Sequence, residues 1–358
     1  MSIITRLNIS SIRNLQQIEL ELNPRINLIF GVNGSGKTSL LEAIHLLSSG
    51  KSFRNQKIDP LIQYGLNTAT VFAELDSTWS IGLSRSRNKP YILQLQGNKQ
   101  ANWEEVARLL PVQVLDSNAF LLLEGSPKTR RSFLDWGVFH VEQSFVENWR
   151  NTRKCIANRN LLLKQKSLDS EQLSAWDQEF CRAALAVHEA RQKYFEAFLP
   201  VLSNHLENLL SMDELSLTYV RGWDERLALD EVLANSRSHD FKYGLTHYGP
   251  HRADIRIRFG KTNAVDVLSR GQQKLLVTAM KLAQGELLSK SLNRKCIFLV
   301  DDLPSELDIH NRVKVFKALE DLGGQVFLTC VEAKALDNCW ESSTLVTRFH
   351  VEHGIIST

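Results

Sequence analysis

Residues 26–38 read INLIFGVNGSGKT. Ile26 to Phe30 are a continuous apolar run, which suits a strand buried on both faces. Gly31, Val32, Asn33, Gly34, Ser35, Gly36, Lys37 and Thr38 follow, and they match G-x-x-x-x-G-K-[ST] in full. Next comes TSLLEAIHLLSSG, which has helical spacing and stops at Gly50. Strand, glycine turn and helix together are the context this motif requires. There the backbone N–H groups turn inward around the α- and β-phosphates of a nucleoside triphosphate. Lys37 reaches the β- and γ-phosphates, and the Thr38 hydroxyl takes one Mg²⁺ position. The alternative is a glycine-rich strand–helix turn with no ligand.

Outward from this motif, the C-terminal part repeats its alternation of strand and helix. A helix is expected over 272–288, an apolar strand over 296–300, a helix over 309–321 and a strand over 325–329. The strand CIFLV runs into Asp301 and Asp302. An acid at such a strand end holds Mg²⁺ in P-loop proteins, and Asp301 is that candidate. Asp302 is then placed to orient or deprotonate the attacking water, and Lys37 and Asp302 are the candidate catalytic residues. A solvated acidic turn is the competing reading. Ahead of helix 272–288 stands LSRGQQK, Leu268 to Lys274, which is too polar for a core strand. Small polar residues at a helix start bind anions, or simply cap the helix.

Between the two ends the character changes. Short strands and turns are expected over about 68–96 and at PVQVLD, 111–116. From 128 to about 212 glycine and proline are scarce and the periodicity is helical. The expected fold class is α/β: one domain formed by 1–127 and 245–358, interrupted by a mostly helical insertion at 128–244.

The order of these motifs resembles the ATP-binding-cassette ATPases: P-loop, LSRGQQK, a strand ending in two acids, then SELD at 305–308. That resemblance implies ATP and Mg²⁺ as cofactors. It also implies that Ser269, Gly271 and Gln272 reach across a head-to-tail homodimer to the γ-phosphate held by the partner's P-loop. Ser305 to Asp308 resemble the loop that crosses the same interface. Gln113 stands where the family places a glutamine that senses Mg²⁺ and the γ-phosphate, although it also reads as an ordinary strand residue. Two departures stand out. Thr329 replaces a histidine found in many members, and a threonine can hydrogen-bond a phosphate but cannot charge near neutral pH. Asp302 replaces the usual glutamate, and its shorter reach implies slow hydrolysis, that of a weak ATPase acting as a switch.

About 230 residues separate Thr38 from Leu268, too many for a transporter ATPase and too few for the long coiled coils of SMC proteins. A transporter ATPase subunit and a small-molecule kinase are the alternatives. A kinase would have no use for LSRGQQK or SELD. The finer pattern resembles the RecF family of bacterial recombination mediators. It is carried by SIRNLQQIEL, GKSFRN, GSPKTRRSFLDWGVFH, CIANRNLLLKQ, HYGPHRADIRI, LAQGELL, DDLPSELD and FHVEHG. The resemblance implies ATP-dependent DNA binding, loading of recombinase at single-strand gaps with RecR and RecO, and links to DNA replication and the SOS response. DSNAF at 116–120 departs from the family's usual Pro-Glu pair.

The net charge of +3 permits a nucleic-acid partner without requiring one. A local basic segment is more pointed: Arg150, Arg153, Lys154, Arg159, Lys164 and Lys166 lie between 149 and 166 with no acid among them. Arg150, Arg153 and Lys154 share a helical face that could follow a phosphate backbone, or could be a solvated face pairing with nearby acids. Arg159 is placed with them as a candidate DNA contact. A second basic cluster, 126–133, could bind phosphate or a protein, or cap a helix. His251 and Arg252 could serve DNA, the dimer or the fold. Five scattered cysteines with no C-x-x-C pair argue against a zinc site or a disulfide framework and fit a reducing cytosol. With no leader-like segment and no long apolar run, a cytoplasmic protein is expected.

Overall fold

The computed structural model describes residues 3–54, 59–165, 169–210, 212, 214–302, 307–336 and 339–357. The chain divides into two compact units. Met1–Ala119, Asn208–Leu210 and Lys274–Thr358 form the first, and Phe120–Glu207 with Ser211–Gln273 form the second.

In the first unit, β1 (Ile4–Ile12) and β2 (Leu15–Glu21) pair antiparallel across the two-residue turn Arg13-Asn14. β4 (Thr68–Leu75), β5 (Trp79–Ser86), β6 (Ile92–Leu95) and β7 (Asn98–Gln100) extend them into a sheet of order β2-β1-β4-β5-β6-β7. A second sheet holds the apolar runs. β3 (Ile26–Phe30), β8 (Val112–Leu115), β12 (Ile297–Val300), β13 (Val326–Cys330), β14 (Val346–Glu352) and β15 (Ile355–Ser357) take the order β15-β14-β3-β13-β12-β8. All neighbours in it are parallel except β15 against β14. Parallel strands must have both faces covered, and β8, β12 and β13 are buried at every residue. α1 (Lys37–Ser49) and α2 (Glu104–Leu109) follow β3 and β7. One apolar core, including Leu7, Ile9, Leu40, Ile44, Leu299 and Phe327, joins the two sheets around α1. Buried Gln325 stitches them together: Ile4 N donates to its Oε1 at 2.8 Å, and its Nε2 donates to Ile4 O at 2.8 Å.

The second unit carries α3 (Leu121–Glu124), α4 (Pro127–Val141), α5 (Phe145–Leu163), α6 (Ser170–Leu209) except its last two residues, and α7 (Leu229–Tyr243). It also contains a three-stranded sheet, β11-β10-β9, made of β9 (Leu215–Val220), β10 (Asp254–Phe259) and β11 (Thr262–Asn263). That sheet corrects the expected boundary at residue 245. Six register pairs join β10 to β9, and Arg130 donates to both carboxylate oxygens of Asp254 at 2.7 and 3.0 Å. Residues 245–273 therefore pack with the helical segment, and α8 (Ala264–Val267) goes with them. α9 (Arg270–Leu292) and α10 (Ile309–Leu322) are the expected C-terminal helices. Among the described residues no helix is long and apolar enough to cross a membrane.

Candidate nucleotide site

Because β3, β13, β12 and β8 run parallel, their C-terminal ends open on one edge. Gly31, Thr329, Asp301 and Asp116 all stand at or just past those ends. Ligands in open α/β sheets bind at this edge. The phosphate-binding loop folds tightly there. Gly31 has φ +149, and a Cβ on it would lie 2.2 Å from Val351 O. Gly36 has φ +126, and its Cβ would meet Leu15 at 2.9 Å. Neither position admits a side chain. Asn14 clamps the loop from the β1–β2 turn, with Nδ2 donating to Ser35 O at 2.8 Å and Gly34 O at 3.2 Å. Ser39 Oγ donates back to Asn14 Oδ1 at 3.1 Å.

Lys37 is buried, and its Nζ donates to the loop carbonyls of Gly31 at 2.7 Å and Val32 at 3.0 Å. The Ser35 hydroxyl is buried with no hydrogen-bond partner among the described residues. A loop whose lysine satisfies its own carbonyls, beside an unmatched buried hydroxyl, fits a phosphate group.

Asp301 collects the hydroxyls around it. Thr38 Oγ1 and Thr329 Oγ1 each donate to its Oδ1 at 2.9 Å. Burial pushes the Asp301 carboxyl above the usual carboxylate range, against the pull of these two hydroxyls; the Asp116 and Asp302 charges add to the rise. A divalent cation would reverse that balance. Carboxylate and hydroxyl oxygens are the donors that hard cations prefer, so Thr38 and Asp301 fit Mg²⁺. Thr329 also accepts from Asp302 N at 2.9 Å. Its hydroxyl is thus spent on the two acids, and it serves as their brace. Asp302 has φ +56, a left-handed conformation that aspartate tolerates better than most residues. Asp302, Lys37, Thr38 and Thr329 line a cavity of about 720 Å³ together with Arg13, Asn14, Asn33, Ile62, Tyr64 and Arg87.

Gln113 does not join them. It is buried on β8, and its Nε2 donates to Gln284 Oε1 on α9 at 2.9 Å. The same helix reaches β8 a second time, where Lys281 Nζ donates to Val114 O.

In the second unit, Ser269 and Gln272 form a capping box at the start of α9. Ser269 N donates to Gln272 Oε1 at 2.9 Å, and Gln272 N donates to Ser269 Oγ at 3.3 Å. The serine hydroxyl keeps its own proton to donate. Ser269, Arg270 and Gly271 are exposed, and a Cβ on Gly271 would meet nothing within 4 Å. Arg270 pairs with Glu124 and lies 4.8 Å over the Phe120 ring. Ser305 lies outside the described residues, so the expected interface loop at 305–308 is seen only in its last two positions.

The basic helix divides sharply. Arg150, Arg153 and Lys154 are exposed on α5, with Arg153 4.8 Å over the Trp149 ring. Arg159 is wholly buried, which corrects its expected role in DNA contact. Its Nε donates to Asp177 Oδ1 at 2.7 Å, and its Nη1 donates to Asp240 Oδ2 at 2.7 Å and Thr246 Oγ1 at 3.0 Å. The acids arrive from α6 and α7, so residues 149–166 alone could not reveal them. Lys164 is exposed, and Lys166 lies outside the described residues. The second basic cluster also serves the fold: Arg130 holds Asp254, and Arg131 Nη1 donates to Ala253 O at 2.7 Å. His251 Nε2 is 2.9 Å from Thr246 O, and burial pulls its imidazole down to about 4. It is neutral near pH 7 and offers no charge to DNA.

Arg13, Asn14, Tyr64 and Arg87 are among the cavity residues that sequence reasoning missed. SIRNLQQIEL contains the first two, but only strand pairing shows that their turn faces the phosphate loop.

The family described as RecF/RecN/SMC N-terminal domain matches residues 3–357. The chain is 45% identical over 358 residues to the DNA replication and repair protein RecF of Pseudomonas entomophila (strain L48), covering 99% of this chain and 98% of that one. Identity and coverage are the same for RecF of Pseudomonas putida (strain GB-1). Among solved structures, the recombination mediator protein RecF with ATP, of the RecFOR pathway, superposes with a TM-score of 0.87 at 25% identity, covering 99% of this chain and 97% of that one. The Smc head domain of Pyrococcus furiosus, bound to the C-terminal domain of ScpA, is alike in fold alone, with a TM-score of 0.59 at 15% identity over 99% and 95% of the two chains.

Proposed function

The chain belongs to the RecF family, and from that premise we propose that it is an ATP-switched DNA-binding protein of recombinational repair and replication. ATP bound on the P-loop would join two copies head to tail, and the joined pair would hold DNA. Loading of recombinase at single-strand gaps, together with RecO and RecR, and support of the SOS response belong to the same reading.

One observation carries the switch. Gly271 is exposed, with φ outside the left-handed region and open space where a Cβ would stand. Nothing among the described residues requires glycine there. A phosphate approaching the backbone N–H from outside would require it. Ser269 beside it keeps a hydroxyl proton to donate. These are the features of half a site, completed by a second copy.

Within one protomer, Lys37 would leave the carbonyls of Gly31 and Val32 for the β- and γ-phosphates, and the Ser35 hydroxyl would gain a partner. Thr38 and Asp301 would hold Mg²⁺, which when bound neutralises phosphate charge. Thr329 would keep the Asp301 carboxylate aimed, and Asp302 would orient water. Hydrolysis removes the group both protomers share and so favours separation, since a ligand shifts an equilibrium only by its differential affinity for the two states.

Retention of DNA on filters tests the DNA reading. The wild type should retain DNA more strongly with ATP than without, and Lys37→Met should lose that difference. Equal retention with and without ATP would defeat it.

A further inference from the structure

The residues around the cavity come from two different sheets. Lys37, Asp302 and Thr329 stand at or past the strand ends of the parallel sheet, while residues 60–66 are fastened to β1 of the antiparallel one. Arg13 N donates to Leu61 O at 2.7 Å, Gln63 N donates to Ser11 O at 2.9 Å, and Ile12 bridges Ile62. Arginine side chains pin the same segment. Arg13 Nη1 donates to Pro60 O at 3.1 Å, and Arg87 donates to Leu66 O at 3.0 Å and Ile62 O at 3.1 Å. Leu61 and Ile62 are buried, yet Tyr64 between these anchors is 98% exposed while lining the nucleotide cavity.

A tyrosine ring gains free energy by leaving water, and most are partly covered. Here a firmly held segment presents the ring uncovered on the cavity. The phosphate-binding groups occupy the parallel-sheet side, which leaves the antiparallel-sheet side for the rest of the nucleotide. We propose that Tyr64 is the platform on which the nucleotide base stacks. This rests on the reading that the cavity takes ATP. An aromatic face accepts any base, because every base has a π-face. Tyr64 therefore supplies affinity and does not select adenine.

The test is calorimetric titration of the full chain with three probes, each with Mg²⁺: ATP, GTP and inorganic tripolyphosphate. Tyr64→Ala should weaken ATP and GTP by the same factor, roughly 5- to 150-fold from base–aromatic stacking energies, and leave tripolyphosphate unchanged. Tyr64→Phe should bind all three as the wild type does. Wild-type ATP affinity in Tyr64→Ala would overturn the inference. So would equal losses for ATP and tripolyphosphate, which would mean damage to the phosphate loop. If the wild type binds neither ATP nor tripolyphosphate, the ATP reading itself fails, a result separable from failure at Tyr64.

Discussion

Thr329 and Arg159 show how burial decides what a polar residue does. Thr329 is buried between Asp301 and Asp302 N. Thr329→Val should lower Mg²⁺ affinity roughly 10- to 100-fold, as loss of an outer partner of a ligating carboxylate does. Mg²⁺ titration of nucleotide binding reads this directly, and an unchanged affinity would remove Thr329 from the site. Because burial raises the Asp301 pKa, Mg²⁺ must displace a proton as pH falls toward that value. Affinity should therefore decline with falling pH, and less steeply in Asp301→Asn. Arg159 is fully buried with Asp177 and Asp240. Arg159→Ala takes the guanidinium from buried Asp240, which keeps only His247 and Ser236 as partners among the described residues, and should cost about 3–5 kcal/mol of stability, measured by urea denaturation. Histidines add a pH dependence of their own. Burial lowers His45, His188 and His251, the last to about 4, from 6.5. The unfolded chain then binds protons that the fold refuses. Stability from these groups is present above pH 6.5 and is lost as pH falls toward 4.

At the scale of elements, α5 has two faces with opposite duties. Arg150, Arg153 and Lys154 are exposed, whereas Arg159 anchors the helix to α6 and α7. Changing the three exposed residues together to Glu should weaken DNA binding and reduce the salt slope by about 3 units, at 0.9 per phosphate contact, with little loss of stability. An unchanged slope would clear α5 of the role. Sequence periodicity located α5 but could not divide its charges, because the division depends on acids contributed by elements distant along the chain. The same limit applies to Gln113. Its position on β8 was legible, but its bond to Gln284 required knowing that α9 packs against β8. The P-loop was legible in full, since strand, turn, helix and ligating atoms all lie within residues 26–50 and answer to local chemistry.

Across the whole molecule, the parallel sheet and its order of motifs were readable from the apolar runs 26–30 and 296–300 and the glycine-rich turn. The domain boundary was not, because β10 follows the helical segment in sequence yet pairs with β9 inside it. The central claim is that each ATP is completed by two copies of the chain, Lys37 from one and Ser269 from the other. Sedimentation with ATP and Mg²⁺ tests it most directly, using Lys37→Met and Ser269→Arg separately and then mixed. Each variant alone lacks a working half in every shared site and should stay monomeric. Mixed, they can assemble one intact site from the Lys37 of one protomer and the Ser269 of its partner, so heterodimers should appear. A mixture as monomeric as its parts, while the wild type dimerises, would contradict the shared site.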